Sequence, residues 1–272
     1  MFFQRIEDLR IDHDKTQQEI ADVLSCKREV YRVTKDPETG LAVPVATYYH
    51  VSSRLYSGIK RSKGGAYGRK FLFDIDGTLL SSKNERHLFV QPSTWKALEQ
   101  LKQNGHIVAI SSGRPERFIH KYFPGIFSNY VAMNGAHVVV DGKTVFEEFF
   151  SPTEVREFMQ YFDQYGCWYN FVGNSRGWAR HVPPEQIEPL NESYGMPGYL
   201  QTEWEPEDVH ASIIDFVFRD DAHYEQCKPA FQEPMVLNKH PGSLAADLSF
   251  KGKDKSRGVK MFLQQAGTSE DA

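Results

Sequence analysis

Asp74 and Asp76 stand two residues apart immediately after the apolar run Phe71-Leu72-Phe73, and Gly77-Thr78-Leu79-Leu80 follows them. A short apolar run of this kind reads as a buried parallel strand, and ligands of parallel sheets bind beyond the carboxyl ends of the strands. The i, i+2 spacing lets both carboxylates reach one opening, while Gly77 permits the sharp backbone turn behind them. Two carboxylates in one crevice attract a hard divalent cation. They can also divide nucleophilic and acid/base work between them. A solvated turn at a strand end is the competing reading, and the apolar residues on both sides weigh against it.

An ionised carboxylate is a suitable nucleophile for a phosphate ester, because attack on phosphorus yields an acyl phosphate that water then cleaves. Nucleophile and substrate are both anionic, so a Mg²⁺ ion between them is the expected cofactor. In the family that this motif resembles, a lysine offsets the charge of the transition state. The run Lys251-Gly252-Lys253-Asp254-Lys255-Ser256-Arg257-Gly258-Val259 offers three. A charge run is more often simply solvated, and only the presence of Asp74 raises these lysines to candidates.

The stretch from Phe71 to Leu80 resembles the first motif of the haloacid dehalogenase superfamily, and Ser111-Ser112-Gly113-Arg114-Pro115 is similar to its Cof-type, sugar-phosphatase-like branch. The resemblance spans about residues 70 to 272. It implies that Asp74 is the nucleophile and a metal ligand. Asp76 would be the acid/base, with its main-chain carbonyl also on the metal, and Ser112 would hydrogen-bond the transferring phosphoryl group. Ser111 is the neighbouring alternative; Ser112 is favoured because it directly precedes Gly113-Arg114. Lys255 is favoured among the lysines because it immediately precedes a helix bearing Val259, Phe262 and Leu263. Gly113, Arg114, Asn134 and Gly135 match segments that border the substrate in that branch, although an Asn-Gly pair alone is more often only a turn. The branch's fourth motif, of the form Gly-Asp-x-x-Asn-Asp, has no counterpart before Ala272, so catalytic activity is less firmly implied than ancestry.

Organisation along the chain supplies the elements that must hold these residues. Residues 70–150 alternate strand and helix patterns. A helix is expected over about 93–104 with Gly105 as its stop, then a strand at 106–110 and a helix at 116–122. A strand at 130–133 follows, and then a hairpin around Asp141-Gly142. The expected class is α/β, a doubly wound Rossmann-like core into which an α/β cap is inserted at 151–240, the chain returning to the core at 241–272. Trp168, Tyr169, Asn170, Arg176, Trp178, Arg180 and His181 form an aromatic and basic set within the cap. They read equally as sugar-phosphate contacts or as the cap's own packing.

Residues 1–58 read as a small all-α domain, joined by a Gly- and Lys-rich linker at 59–69. Thr16-Gln17-Gln18-Glu19 is a capping-box pattern that opens a second helix, and a third is expected from Lys27 to about Thr34. Two short helices with a basic second member resemble the lambda-repressor-like (XRE) helix-turn-helix family, with Gln17, Lys27, Arg28 and Arg32 as candidate DNA contacts. A helical appendage without DNA affinity is the competing reading. The whole chain then has two functional readings. One is a Mg²⁺-dependent phosphatase of small phosphorylated metabolites. The other is a DNA-binding regulator whose second part senses such a metabolite.

The net charge of −4 argues against binding nucleic acid through an overall field, though not against a local patch. Three widely separated cysteines, Cys26, Cys167 and Cys227, give no disulfide framework. Met1-Phe2-Phe3 leads straight into charged residues rather than a signal-peptide core, and no run nears the roughly 20 apolar residues of a membrane span. The cytoplasm is the expected compartment.

Overall fold

The computed structural model describes residues 27–31, 46–50, 70–83, 87–240 and 242–266. Strand β1 (Lys27–Tyr31) pairs antiparallel with β2 (Ala46–His50), with Lys27 opposite His50 and Tyr31 opposite Ala46. This corrects the helix expected from Lys27. Val30, Tyr31, Thr47, Tyr48 and Tyr49 are β-branched or aromatic, types that prefer a pleated strand to a helix. Lys27 and Arg28 therefore lie on a strand rather than a recognition helix. Gln17, Arg32 and the rest of the expected helix-turn-helix lie outside the described residues.

The remainder divides into two compact units. The first takes the described residues up to Gly113, Gly125–Phe146 and the chain from Lys255 onward. Its sheet begins with β3 (Lys70–Phe73). The chain then forms an antiparallel hairpin, β4 (Leu80–Lys83) and β5 (His87–Val90), before helix α1 (Pro92–Gln103). Asn104 caps α1 and Gly105, at φ +79°, turns the chain where the sequence places its stop. Strand β6 (Ile107–Ser111) lies parallel to β3, pairing Phe71 with Val108 and Phe73 with Ile110. Helix α2 (Glu116–Tyr122) follows within the second unit's Arg114–Pro124 segment. Strand β7 (Tyr130–Ala132) is parallel to β6, and β8 (His137–Val140) reverses direction beside it. An edge strand, β9 (Lys143–Glu147), closes the order β3-β6-β7-β8-β9. Asp141 and Gly142, at φ 49° and 74°, form the β8–β9 turn with both residues left-handed, the geometry that an Asp-Gly hairpin favours.

The second unit holds Arg114–Pro124 and Glu147–Asp254. Helix α3 (Pro152–Phe162) opens with a capping box in which Ser151 and Glu154 satisfy each other's backbone N–H groups. After it come β10 (Trp168–Gly173), β11 (Gly177–Arg180), α4 (Pro184–Ser193), β12 (Leu200–Gln201), β13 (Ala211–Val217), α5 (Asp221–Cys227), β14 (Met235–Lys239) and β15 (Ala245–Phe250). The strands form one sheet in the order β12-β11-β10-β13-β15-β14. Strand β15 pairs with both β13 and β14, so the chain does not rejoin the first unit at 241 as the sequence suggested; it does so at Lys255. The apolar alternation of β15 matches either sheet, and only its pairing partners decide between them.

Tyr169, Phe171, Phe216, Trp178 and Leu248 pack with Phe162 in one buried cluster, so much of the aromatic set in this unit is its core. The basic members go elsewhere. Asp163 accepts hydrogen bonds from Arg180 (2.7 Å) and Tyr169 (2.7 Å) and pairs with His181 (2.8 Å). Burial alone would raise its pKa, but those hydrogen bonds and the Arg180 charge outweigh it and bring the carboxyl down to about 2. A folded pKa below the unfolded one stabilises the fold above the unfolded value, and that contribution disappears as pH falls through the folded value. Thermal melting between pH 4 and pH 2 is expected to drop more steeply for the wild type than for Asp163→Asn. Burial pushes the Cys167 thiol up to about 12, an environment that suits a packing cysteine rather than a reactive one. Among the described residues, no helix is long and apolar enough to cross a membrane.

Candidate active site

The first unit places Asp74 directly after β3 and folds the chain back at once. Ile75 is fully buried, and its carbonyl accepts the N–H groups of Thr78 (3.2 Å), Leu79 (3.0 Å) and Leu80 (2.9 Å). Gly77 takes φ +71° inside that turn, a conformation a β-carbon disfavours. The anchored Ile75 leaves Asp74 half-buried at the strand end and Asp76 exposed beyond it. The backbone N–H of Ile75 donates to Asp74 Oδ1 at 2.8 Å, which holds the carboxylate in one orientation.

Lys255 reaches the same carboxylate from 181 residues away, with Nζ 3.3 Å from Asp74 Oδ2. Both side chains keep 22% of their surface exposed, so the pair is sheltered yet open to a ligand. Lys255 is the first residue of α6 (Lys255–Gln265), whose Val259, Phe262 and Leu263 pack on Leu72, Ala109, Val131 and Val138 of the sheet. Gly258, one turn along the same face as Lys255, brings the helix backbone against the turn after β7. A β-carbon there would stand 2.5 Å from Val131 Cγ1 and 2.6 Å from Gly135 Cα. Arg257 lies over the Phe146 ring at 4.8 Å and fixes the helix from its other side. Gly258→Ala is therefore expected to cost about 1–3 kcal/mol of stability through overpacking and to reduce turnover by displacing Lys255. Thermal melting and kcat measured together check it.

Ser112 is buried just past β6. Its N–H donates to Val131 carbonyl (2.9 Å), and its own carbonyl accepts the Asn134 N–H (3.3 Å). Met133 and Asn134 both adopt left-handed backbone, at φ 52° and 50°. A β-carbon on Gly113 would sit 2.8 Å from Asn134 Oδ1, so the glycine is what lets this amide lie against the loop after β6. Asp74, Ser112, Gly113, Asn134 and Gly135 thus follow the carboxyl ends of β3, β6 and β7 in the first unit, and Lys255 reaches Asp74 from the start of α6. Arg114 belongs to the second unit, its guanidinium 4.5 Å over the Phe118 ring.

Gly258 and the left-handed turn at Met133 escaped the sequence reading. A glycine inside a helical pattern costs about 1 kcal/mol relative to alanine, and that cost was the available signal of a close backbone approach. Among the described residues, no group of three or more His, Cys, Asp or Glu side chains gathers to hold a metal by itself. Mg²⁺ is commonly bound by only one or two carboxylates, with water and phosphate oxygens completing its shell. A half-buried Asp74 and an exposed Asp76 at one turn fit that mode of binding.

A sequence family described as haloacid dehalogenase-like hydrolase matches residues 71–272. The chain belongs to this family. It is accordingly a hydrolase by family, and the match begins within β3, just before the turn that carries Asp74 and Asp76. No curated protein matches the chain. Among solved structures it is similar to BT4131, described as a sugar phosphatase of HAD subclass IIB, with 19% identity, a TM-score of 0.56, and coverage of 75% of this chain and 77% of that one. It is also similar to BT1666 from Bacteroides thetaiotaomicron, described among phosphatases of the HAD enzyme superfamily (20% identity, TM-score 0.58, 78% of each chain). A third is TM0651 from Thermotoga maritima (18% identity, TM-score 0.57, 74% of this chain and 76% of that one). At such identities the likeness establishes a shared α/β fold.

Proposed function

We propose that this hydrolase is a phosphatase of small phosphate monoesters that works through a phosphorylated Asp74. The observation that carries the reading is the Lys255 ammonium held 3.3 Å from the Asp74 carboxylate by a helix docked on the same sheet. A lysine at the first position of a helix stands at the positive end of the helix dipole, which is unfavourable for the helix alone. A phosphate group bound there turns that cost into a favourable interaction.

In the proposed reaction an Asp74 oxygen forms a bond to phosphorus as the ester P–O bond breaks, and Asp76 gives its proton to the departing alkoxide. A water then attacks the acyl phosphate, Asp76 takes the water's proton, and inorganic phosphate leaves with Asp74 restored. Lys255 neutralises charge on the phosphoryl oxygens in both steps, and the buried Ser112 donates to one of them. Gly113, Asn134 and Gly135 shape the adjoining loop, and the resemblance puts Arg114 among the residues that border the substrate. Mg²⁺, held by Asp74 and Asp76, would offset the repulsion between carboxylate and phosphate. The aryl-phosphate turnover of the wild type with Mg²⁺, compared with that of a chain lacking the Asp74 carboxylate, tests the reading.

A further inference from the structure

The second unit carries a polar row that the phosphatase reading does not use. Tyr169 and Phe171 of β10, Phe216 of β13 and Leu248 of β15 face the aromatic core, so the residues that alternate with them face the other way. Strand register sets Asn170, Asp215, Asp247 and Asn238 directly opposite one another across β10, β13, β15 and β14. Like charges placed opposite each other on neighbouring strands are destabilising, so Asp215 and Asp247 need something between them.

The row is short of hydrogen-bond donors. Tyr194 donates to Asp215 Oδ2 at 2.7 Å, His240 pairs with Asp247 Oδ1 at 2.8 Å, and Asn170 Nδ2 donates to the Tyr194 oxygen at 3.3 Å. Asn170 is wholly buried, and its Oδ1 has no partner among the described residues. Burial and then the Asp247 charge hold Asp215 well above the usual carboxylate range, which favours its protonated form. Burial opposes ionisation of Asp247, but its hydrogen bond from His240 keeps it below that range, and the charge of Arg114 adds to this. The His240 hydrogen bond to Asp247 in turn raises the imidazole pKa. Asp247 and His240 keep 28% and 49% of their side chains exposed, which leaves the row open to a small ligand.

We propose that this row is a subsite for a primary ammonium group, whose N–H donors lie between the facing Asp215 and Asp247 carboxyls and reach the unpartnered Asn170 Oδ1. A proton held on Asp215 passes to solvent as the ammonium binds. None of the four residues in the row belongs to the catalytic set, so the site stands or falls separately from the phosphatase reading.

Isothermal titration of the full chain at pH 7 tests the proposal. The probes are ethanolamine against ethylene glycol, and phosphoethanolamine against glycol phosphate. Each amine is expected to bind about tenfold more tightly than its hydroxyl counterpart, the margin of a charged over a neutral hydrogen bond. Titration in two buffers of different ionisation enthalpy is expected to show release of close to one proton per amine bound. Asp215→Asn keeps a donor toward Asp247 and an acceptor toward Tyr194 but has no proton to lose. It is expected to abolish both the preference and the release. Equal affinities of amine and hydroxyl probes, no binding of either amine, or binding without proton release by the wild type would overturn the proposal.

Discussion

Asp74→Asn is expected to lower kcat for an aryl phosphate by on the order of 10⁴-fold or more, the scale of losing a covalent nucleophile. The change is nearly isosteric. The asparagine side-chain oxygen still accepts the Ile75 N–H, and the turn beyond it rests on buried Ile75 rather than on the carboxylate. Melting temperature is therefore expected to move by only a few degrees, within the shift that about 1 kcal/mol produces. Steady-state kinetics on a protein shown to be folded separates loss of chemistry from loss of structure. Turnover within tenfold of the wild type would remove Asp74 from the nucleophile's role.

Lys255→Met carries the second large effect, a fall in kcat of about 10²–10³-fold, comparable to removing one preorganised donor from a transition-state charge. Methionine keeps an unbranched side chain of similar length at the start of α6 and deletes only the ammonium. Lys255→Arg is expected to rescue little, because a planar fork does not reproduce a compact point charge at 3.3 Å from Asp74. The two positions act on one phosphoryl group, so the double variant Asp74→Asn/Lys255→Met is expected to be scarcely slower than Asp74→Asn alone. Multiplicative losses in that cycle would mean that the lysine serves some other step.

The parts of this fold that were legible in the sequence are those set by local pattern. Phe71-Leu72-Phe73 ends in a pair of carboxylates, and a strand parallel to β6 lies there. The helix at Glu116–Tyr122 and the Asp141-Gly142 turn likewise follow from short-range periodicity and backbone preference. What escaped was decided by partners distant in sequence. Lys27–Tyr31 is five residues long, too short for helical and strand periods to separate, and its pairing with Ala46–His50 settles the matter. Ala245–Phe250 alternates as either sheet would require, and its hydrogen bonds to β13 and β14 assign it to the second unit. Lys255 is singled out in the charge run by its place before a helix, the position of the lysine in the family that the motif resembles. The glycine contact that sets the height of that helix on Gly135 leaves no periodic trace. The polar row from Asn170 to Asn238 is invisible for the same reason, since each member comes from a different strand.

The most direct test of a phosphorylated Asp74 is acid-quenched mass spectrometry of the chain during turnover with Mg²⁺ and a phosphate monoester. The expected result is one added phosphoryl group, located on the peptide that contains Asp74 and absent from Asp74→Asn. Steady turnover with an unmodified Asp74, or with the phosphoryl group on another residue, would contradict the account.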